Sequence, residues 1–359
     1  MKLFGDTFRG RRVLLTGHTG FKGSWLALWL RELGANVIGV ALPPETQPNH
    51  WDALALDIDD RRFDIRDADT LQRLFIEVRP ELVLHLAAQP LVRRSYRAPL
   101  ETWSTNVMGT ANVLEACRHV ASVQAIVVVT TDKCYENREW PWGYREVDAI
   151  GGHDPYSASK AGAELVVASY RKAFFAAQNA PLLASARAGN VIGGGDWSED
   201  RLVPDLVRAV NARRSLEIRS PAATRPWQHV LESLSGYLLL AQKLLNGASD
   251  CAEAWNFGPE PEGNRTVAEV LEILAMHWPE LRWHLTPNEQ VHESTLLYLD
   301  SSKARSLLHW QPVWQIDQAL VQTATWYRAW HESGELLSQR QLADYVSSAR
   351  AAGNGWAGA

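Results

Sequence analysis

The stretch Val13-Leu14-Leu15-Thr16-Gly17-His18-Thr19-Gly20-Phe21-Lys22-Gly23, continued by Ser24-Trp25-Leu26-Ala27-Leu28-Trp29-Leu30, decides the fold. Its apolar run has the length of a buried strand. Its three glycines recur every third residue, and an apolar stripe at helical spacing begins directly after them. That order predicts strand, tight loop and helix. Gly17 can take backbone angles closed to other residues, Gly20 lets a pyrophosphate approach the main chain, and Gly23 lets helix and strand pack closely. The start of the helix then offers unpaired N–H groups to an anion. A glycine turn before a surface helix has the same pattern, but its place near the N-terminus, in a chain that goes on alternating strands and helices, predicts a dinucleotide site.

Downstream, Gly34-Ala35-Asn36 ends the first helix and Val37–Leu42 reads as the second strand. A dinucleotide fold usually carries an acid at the end of that strand for the adenosine ribose, and Val40-Ala41-Leu42-Pro43-Pro44 has none. No arginine for a 2′-phosphate stands there either, which favours NAD over NADP. Arg62–Asp67 reads as a short third strand that ends in a helix N-cap at Asp67, with Asp64 and Ile65 placed on the adenine side. The fourth strand, Leu82–Leu86, opens on Ala87-Ala88-Gln89, small residues where a cofactor would lie. Asn106 sits among apolar residues of a helix expected over Thr102–Arg118. Asparagine is poor in a helix interior, so a structural or cofactor-supporting role is expected for it.

The strand Ala125–Val129 delivers Thr130-Thr131-Asp132-Lys133 to the carboxyl edge of the sheet, where functional residues collect. Tyr156 and Lys160 follow at the start of a helix, four apart and so on one face. A neighbouring ammonium lowers a phenol's pKa, which would make Tyr156 a general acid and base near neutral pH. A tyrosine and lysine four apart arise by chance in many helices. Behind a glycine loop and a Thr-Asp pair on a sheet edge, they form a catalytic constellation.

After the strand Leu182–Arg187 a second glycine loop runs from Ala188 to Trp197 and the alternation weakens. Helices are expected over Leu202–Arg213 and Leu231–Leu245, with short strands at Leu216–Arg219, Gln228–Val230 and Ala254–Phe257. The sequence thus divides into a nucleotide-binding unit over 1–188 and a substrate lobe over 189–345 that returns segments of about 228–258 to the sheet. Arg201, Arg219, Arg225 and His229 could clamp a diphosphate, with Asn190 and Leu202 beside them. The Gly/Ala-rich end, 346–359, reads as a disordered tail.

Composition narrows the class. In 359 residues, 46% of them apolar, there is room for a full core, and a net charge of −5 gives no basic field for nucleic acid or anionic membrane. No run approaches a membrane span, and no signal peptide is legible at the N-terminus. Cys117, Cys134 and Cys251 lack metal-ligand spacing and suit a reducing cytoplasm; no metal site is expected.

Taken together, Gly17–Gly23, Thr131-Asp132-Lys133-Cys134-Tyr135-Glu136-Asn137, Tyr156-Ser157-Ala158-Ser159-Lys160, Arg187–Trp197 and Arg225-Pro226-Trp227-Gln228-His229-Val230 resemble the extended short-chain dehydrogenase/reductase family. Within it they are similar to the sugar-nucleotide dehydratases that take CDP-glucose. The resemblance implies a doubly wound parallel α/β sheet of Rossmann type with a smaller C-terminal sugar-nucleotide domain, NAD as cofactor, a homodimer and a place in deoxysugar biosynthesis. It implies oxidation of the hexose at C4 by Tyr156 and Lys160, with Thr131 on the same oxygen and Asp132 protonating the leaving hydroxyl on C6. At the next position the wider dehydratases carry a glutamate as the C5 base; here it is Lys133, as base, as enolate stabiliser or simply as a support for the cofactor. Two other readings weigh less. A 4-epimerase needs no acid for C6, and a scaffold that had lost the chemistry would lack Tyr156 or Lys160.

Overall fold

The computed structural model describes residues 2–218, 220–260, 263–285 and 297–358. Arg12–Thr16 (β1) and Phe21–Glu32 (α1) flank the first glycine loop. Asn36–Ala41 (β2), Asp59–Arg62 (β3), Leu82–His85 (β4), Ala125–Val129 (β5) and Leu182–Ala188 (β6) follow, each parallel to its neighbours. Ala254–Phe257 adds the seventh strand beside β6, so the order is seventh strand, β6, β5, β4, β1, β2, β3. The chain therefore winds outward from β1 in both directions. In such sheets a crevice opens at the carboxyl ends of the strands where the winding reverses, here β1 and β4. Thr16 and His85 are paired across that split.

Both sheet faces are covered, so its central strands are apolar throughout rather than alternating. Val13 and Leu15 of β1 face one core and Leu14 the other. The first core takes α1, the helix Val230–Leu245 and the C-terminal helices, and it buries eleven of the sixteen tryptophans. β3 reads Asp-Asp-Arg-Arg, a charged edge strand that resists pairing with other chains. The expected strand at Arg62–Asp67 lies three residues too late, because apolar patterning does not mark such an edge; Phe63–Asp67 forms the loop beyond it. Asp67 does cap the helix Ala68–Val78, accepting from the Thr70 N–H. The helix expected over 102–118 starts at Pro99 and is interrupted by a π turn at Ser104–Met108 that contains Asn106.

Beyond β6, three two-stranded pairs and the helix Leu202–Asn211 build the smaller lobe over the carboxyl edge. Helices Val267–His277 and Ile316–Ser333 pack together beside it.

The tail expectation fails. Ser338–Ala351 is a helix and Gly355–Ala357 a single 3-10 turn. Trp356 is buried, stacked on Phe4 with ring centroids 5.0 Å apart and edge-on to Trp29 at 5.6 Å. Composition weighted the glycines and overlooked that one indole carries enough apolar area to anchor a terminus. Trp356→Ala should cost about 3 kcal/mol, as for truncating a buried aromatic; a lowered urea midpoint with unchanged dinucleotide binding is the expected result.

Candidate active site

The carboxyl edge of the sheet opens into a cleft of ≈ 1230 Å³, lined by all the loops that leave β1, β2, β4, β5 and β6 and by Asp64 and Ile65 beyond β3. That exceeds the range of about 300–1,000 Å³ of ordinary ligand pockets and suits two large ligands. Its floor is the first glycine loop. Gly17 has φ +76°, and a Cβ there would lie 2.7 Å from the Ala87 nitrogen; one on Gly23 would lie 2.0 Å from the Gly17 carbonyl oxygen. Gly20 caps α1 without a side chain, so the first N–H groups of that helix are left for a ligand. A bare main-chain cradle at a helix start fits a dinucleotide's pyrophosphate.

Thr19, Phe21 and Lys22 line the cleft with the glycines, whereas His18 turns away from it. The His18 ring is buried against Gly39 and Trp51, and its Nε2 pairs with Asp60 Oδ1 at 2.9 Å. Asp60 stands opposite Gly39 on the next strand, where it also meets Arg62 at 2.6 Å, and it does not line the cleft. Arg62 corrects the expectation that no arginine reaches this edge, since it stands opposite Ala41 and donates to the Leu42 carbonyl. Asp64 is held by Arg66, at 2.6 Å from Nη2, and these bonds keep its carboxyl below its ordinary pKa.

Leu86 and Ala87 donate their N–H groups to Thr16 Oγ1, which fixes the strand end between β1 and β4. Ala88 follows, and the Gln89 backbone is gripped by Asn106, whose Oδ1 accepts from Gln89 N at 2.8 Å while Nδ2 donates to Gln89 O and to Ser159 Oγ. The side chain expected to be structural or cofactor-supporting does not itself line the cleft; it ties the β4 loop to the helix Pro155–Ala173, a π turn supplying its position.

That helix starts at Asp154, which accepts from Ser157 N, followed by Pro155 at the first position. The start places Tyr156 and Lys160 against the end of β5. Lys160 Nζ donates to the Val129 carbonyl at 3.2 Å, and burial lowers its pKa to about 8, opposed by Glu164 one turn on. Burial pushes the Tyr156 phenol up to about 12, outweighing the opposing influence of the Thr131 hydroxyl and the charge of Arg201. The expected lowering by Lys160 is absent from the protein alone, because that ammonium faces the backbone of β5.

Thr131 Oγ1 donates to Asp132 Oδ1 at 2.9 Å, and Asp132 Oδ2 is buried without a partner. Thr130 turns its hydroxyl inward to Glu164. Lys133, half-buried, lines the cleft beside Tyr156 and Lys160. Lys22 reaches the same region from α1, 3.3 Å from the Tyr237 hydroxyl; burial and the charges of Arg201 and Lys160, against Asp132, hold its pKa near 7.

From the lobe come Asn190, Arg201, Leu202 and Arg225. Arg201 lies 3.7 Å from Asp196, and Arg225 donates to the Thr224 carbonyl. Arg219 lies outside the described residues. His229 does not reach the cleft: it is fully buried between Trp25 and Trp314, its Nδ1 accepts from Leu231 N at the start of the helix Val230–Leu245, and burial lowers its pKa to about 3. The strand-to-helix turn after Gln228 directs it inward. Glu164 and Arg187, paired at 2.8 Å beneath the site, went unread; a glutamate one turn beyond Lys160 was the available signal.

The family model for GDP-mannose 4,6 dehydratase matches residues 14–323. CDP-glucose 4,6-dehydratase of Salmonella typhimurium is 47% identical over 350 residues, 95% of this chain and 98% of that protein. The structure of dTDP-glucose 4,6-dehydratase from Streptomyces venezuelae with NAD superimposes with a TM-score of 0.74 at 24% identity, covering 88% of this chain and 97% of that one. UDP-glucose 4-epimerase from Thermus thermophilus in complex with NAD gives 0.77 at 24%, over 88% and 99%. Sheet order, glycine cradle and the Tyr156–Lys160 helix are thus accompanied by a match along most of the sequence, and the chain belongs to the GDP-mannose 4,6 dehydratase family.

Proposed function

We propose that this protein is an NAD-dependent lyase that converts CDP-glucose to CDP-4-keto-6-deoxyglucose and water, working in the cytoplasm for deoxysugar synthesis. The observation that carries the reading is 47% identity along 95% of the chain to an enzyme of that name, with Thr131, Asp132, Lys133, Tyr156 and Lys160 together in one cleft. The cofactor would lie on Gly17–Gly23, beside Asp64, Ile65 and Leu86–Gln89, and the substrate diphosphate against Arg201 and Arg225. Three free cysteines, two of them buried, suit a reducing compartment.

The hydrogen on C5 of a hexose is not acidic, and hydroxide leaves poorly. A ketone at C4 removes the first obstacle. Bound NAD supplies reversible hydride transfer and, through its charged nicotinamide, a field that favours the phenolate. Tyr156 takes the proton of the C4 hydroxyl, with Lys160 holding the local charge; Asp132 gives a proton to the C6 oxygen as it departs. An epimerase would have no use for that acid. Lys133 acts on C5, either as the base or as the cation that stabilises the enolate.

Incubation with CDP-glucose should yield the 4-keto-6-deoxy product with no net release of reduced cofactor. Tyr156→Phe should fold and bind cofactor yet lose more than tenfold in turnover, and a smaller loss would remove Tyr156 from the assignment. Lys133→Met should still oxidise C4, seen as bound reduced nicotinamide on mixing, while exchange of the C5 hydrogen with solvent deuterium disappears; exchange at the parent rate would exclude Lys133 from the elimination.

We also propose a homodimer. Leu100 and Met108 on the helical run from Pro99 to Arg118 and Leu165 on the adjoining helix Pro155–Ala173 are 83%, 56% and 63% exposed. A second copy of the same face would cover them. Sedimentation should give twice 40.1 kDa for the parent and the single mass for Leu100→Glu with Leu165→Glu.

A further inference from the structure

A dehydratase of this kind oxidises its substrate before it reduces it, so between the two half-reactions the hydride resides on the cofactor. Escape of the reduced cofactor at that stage would leave an oxidised sugar and an enzyme unable to finish. The dinucleotide therefore has to stay while sugar nucleotides come and go. Sheet order shows where a restraint on it must act. β1 lies between β2 and β4, so the cradle Gly17–Gly23 lies between the loop that leaves β2 and the segment that leaves β4. A bond between those two flanking segments crosses above the cradle and above a dinucleotide lying on it.

Such a bond is present. Glu45, in the loop after β2, accepts from Arg94 Nη1 through both carboxylate oxygens, at 2.8 Å each. Arg94 belongs to the short helix Val92–Arg97 that follows β4, and both side chains line the cleft. Each end is anchored. Arg94 Nη2 also donates to Glu101 at 3.0 Å, in the first turn of the next helix. On the other side, Thr19 Oγ1 of the cradle and Arg62 Nη1 both donate to the Leu42 carbonyl, at 3.0 and 3.2 Å, and Asn49 Nδ2 donates to the carbonyl of Thr46 at 3.1 Å. Pro43 and Pro44 restrict the chain between those points. The same short helix also reaches the opposite way: Arg93 pairs with Asp200 at 3.0 Å and Arg97 with Glu199 at 3.1 Å, in the loop after β6. Those two pairs span the end of β5 and do not cross the cradle.

Resting on the cofactor placement and the dehydratase reading above, we infer that the Arg94–Glu45 pair is a strap across the dinucleotide, which opens for exchange and keeps the reduced cofactor in place from C4 oxidation to the return of hydride. With Glu45 60% and Arg94 28% exposed at the side chain, the pair opens and re-forms readily and restrains rates more than it adds affinity. The closed bond obstructs entry as well as exit. Its removal therefore raises both rates by a similar factor and leaves the dissociation constant nearly unchanged. Loss of a direct phosphate ligand, or damage to the loop, would weaken binding instead.

The probe is NADH, its fluorescence following binding and its displacement by excess NAD following release. Glu45→Ala and Arg94→Ala should each raise the association and release rates roughly fivefold, with the dissociation constant within about twofold of the parent's. The double variant should match the single ones, because either change removes the same bond. Arg97→Gln breaks a pair of the same helix that does not cross the cradle, and it should leave both rates at the parent's. With CDP-glucose and no added NAD, cofactor-loaded Glu45→Ala should lose activity as free NADH appears, and added NAD should restore it. A weakened dissociation constant with an unchanged association rate, multiplied effects in the double variant, or equal acceleration by Arg97→Gln would overturn the strap. Absence of 4-keto-6-deoxy product with the parent would instead overturn the dehydratase reading and leave the NADH rates as the test of the strap.

Discussion

The site rests on one buried carboxylate. Glu164 accepts from Thr130 Oγ1 at the end of β5, from Ser185 Oγ and Arg187 Nη2 on β6 at 2.8 Å each, and it belongs to the helix that carries Tyr156 and Lys160. Burial works against its charge, yet Arg187 and the two hydroxyls outweigh that and hold its pKa below the ordinary value. Arg187 in turn donates to the Tyr135 hydroxyl, which donates to Asn256 on the seventh strand. A buried pair of this kind adds little net stability, but removing one partner costs about 3–5 kcal/mol because a naked charge is left behind. Its value here is geometric: three strands and one helix are referred to a single point, with Lys160 one turn and Tyr156 two turns before it on the helix and Thr131 next to its partner Thr130.

Much of this architecture can be read from the sequence because it depends on local patterns. The strand, glycine loop and helix over 13–30 need only apolar period and glycine spacing, and the loop needs glycine for contacts of 2.0–2.7 Å that no Cβ survives. Thr131, Asp132, Lys133, Tyr156 and Lys160 reach one cleft because strand ends and helix starts place them there. What was not legible depends on register between distant segments. Arg62 reaches the end of β2, and Asp60 reaches His18, only because β3 pairs beside β2. His229 carries the residue type of a phosphate ligand, but whether a strand-to-helix turn aims it at solvent or core depends on Trp25 and Trp314, far away in the chain. The sign of the Tyr156 shift depends on burial, which spacing alone does not report.

Charge in the cleft is balanced overall, ten lysines and arginines against ten aspartates and glutamates, so a diphosphate has to be met by particular cations rather than by a general positive field. Lys22, Lys133, Lys160, Arg201 and Arg225 all line it. Lys22 is buried and held near 7, so the cleft loses a positive charge as pH rises through that value.

Two segments from opposite ends of the fold meet. Phe4, ahead of β1, stacks on Trp356, beyond the helix Ser338–Ala351, and both lie against Trp29 of α1. Ribosomal synthesis proceeds from the N-terminal side, so α1 emerges early but its aromatic cover emerges only after every strand of the sheet. The first strand and helix therefore wait, with an indole exposed, while the rest of the core is made. Sealing of that core is a late event in translation, and a product truncated before Trp356 presents the same uncovered aromatic surface to the cell's quality control.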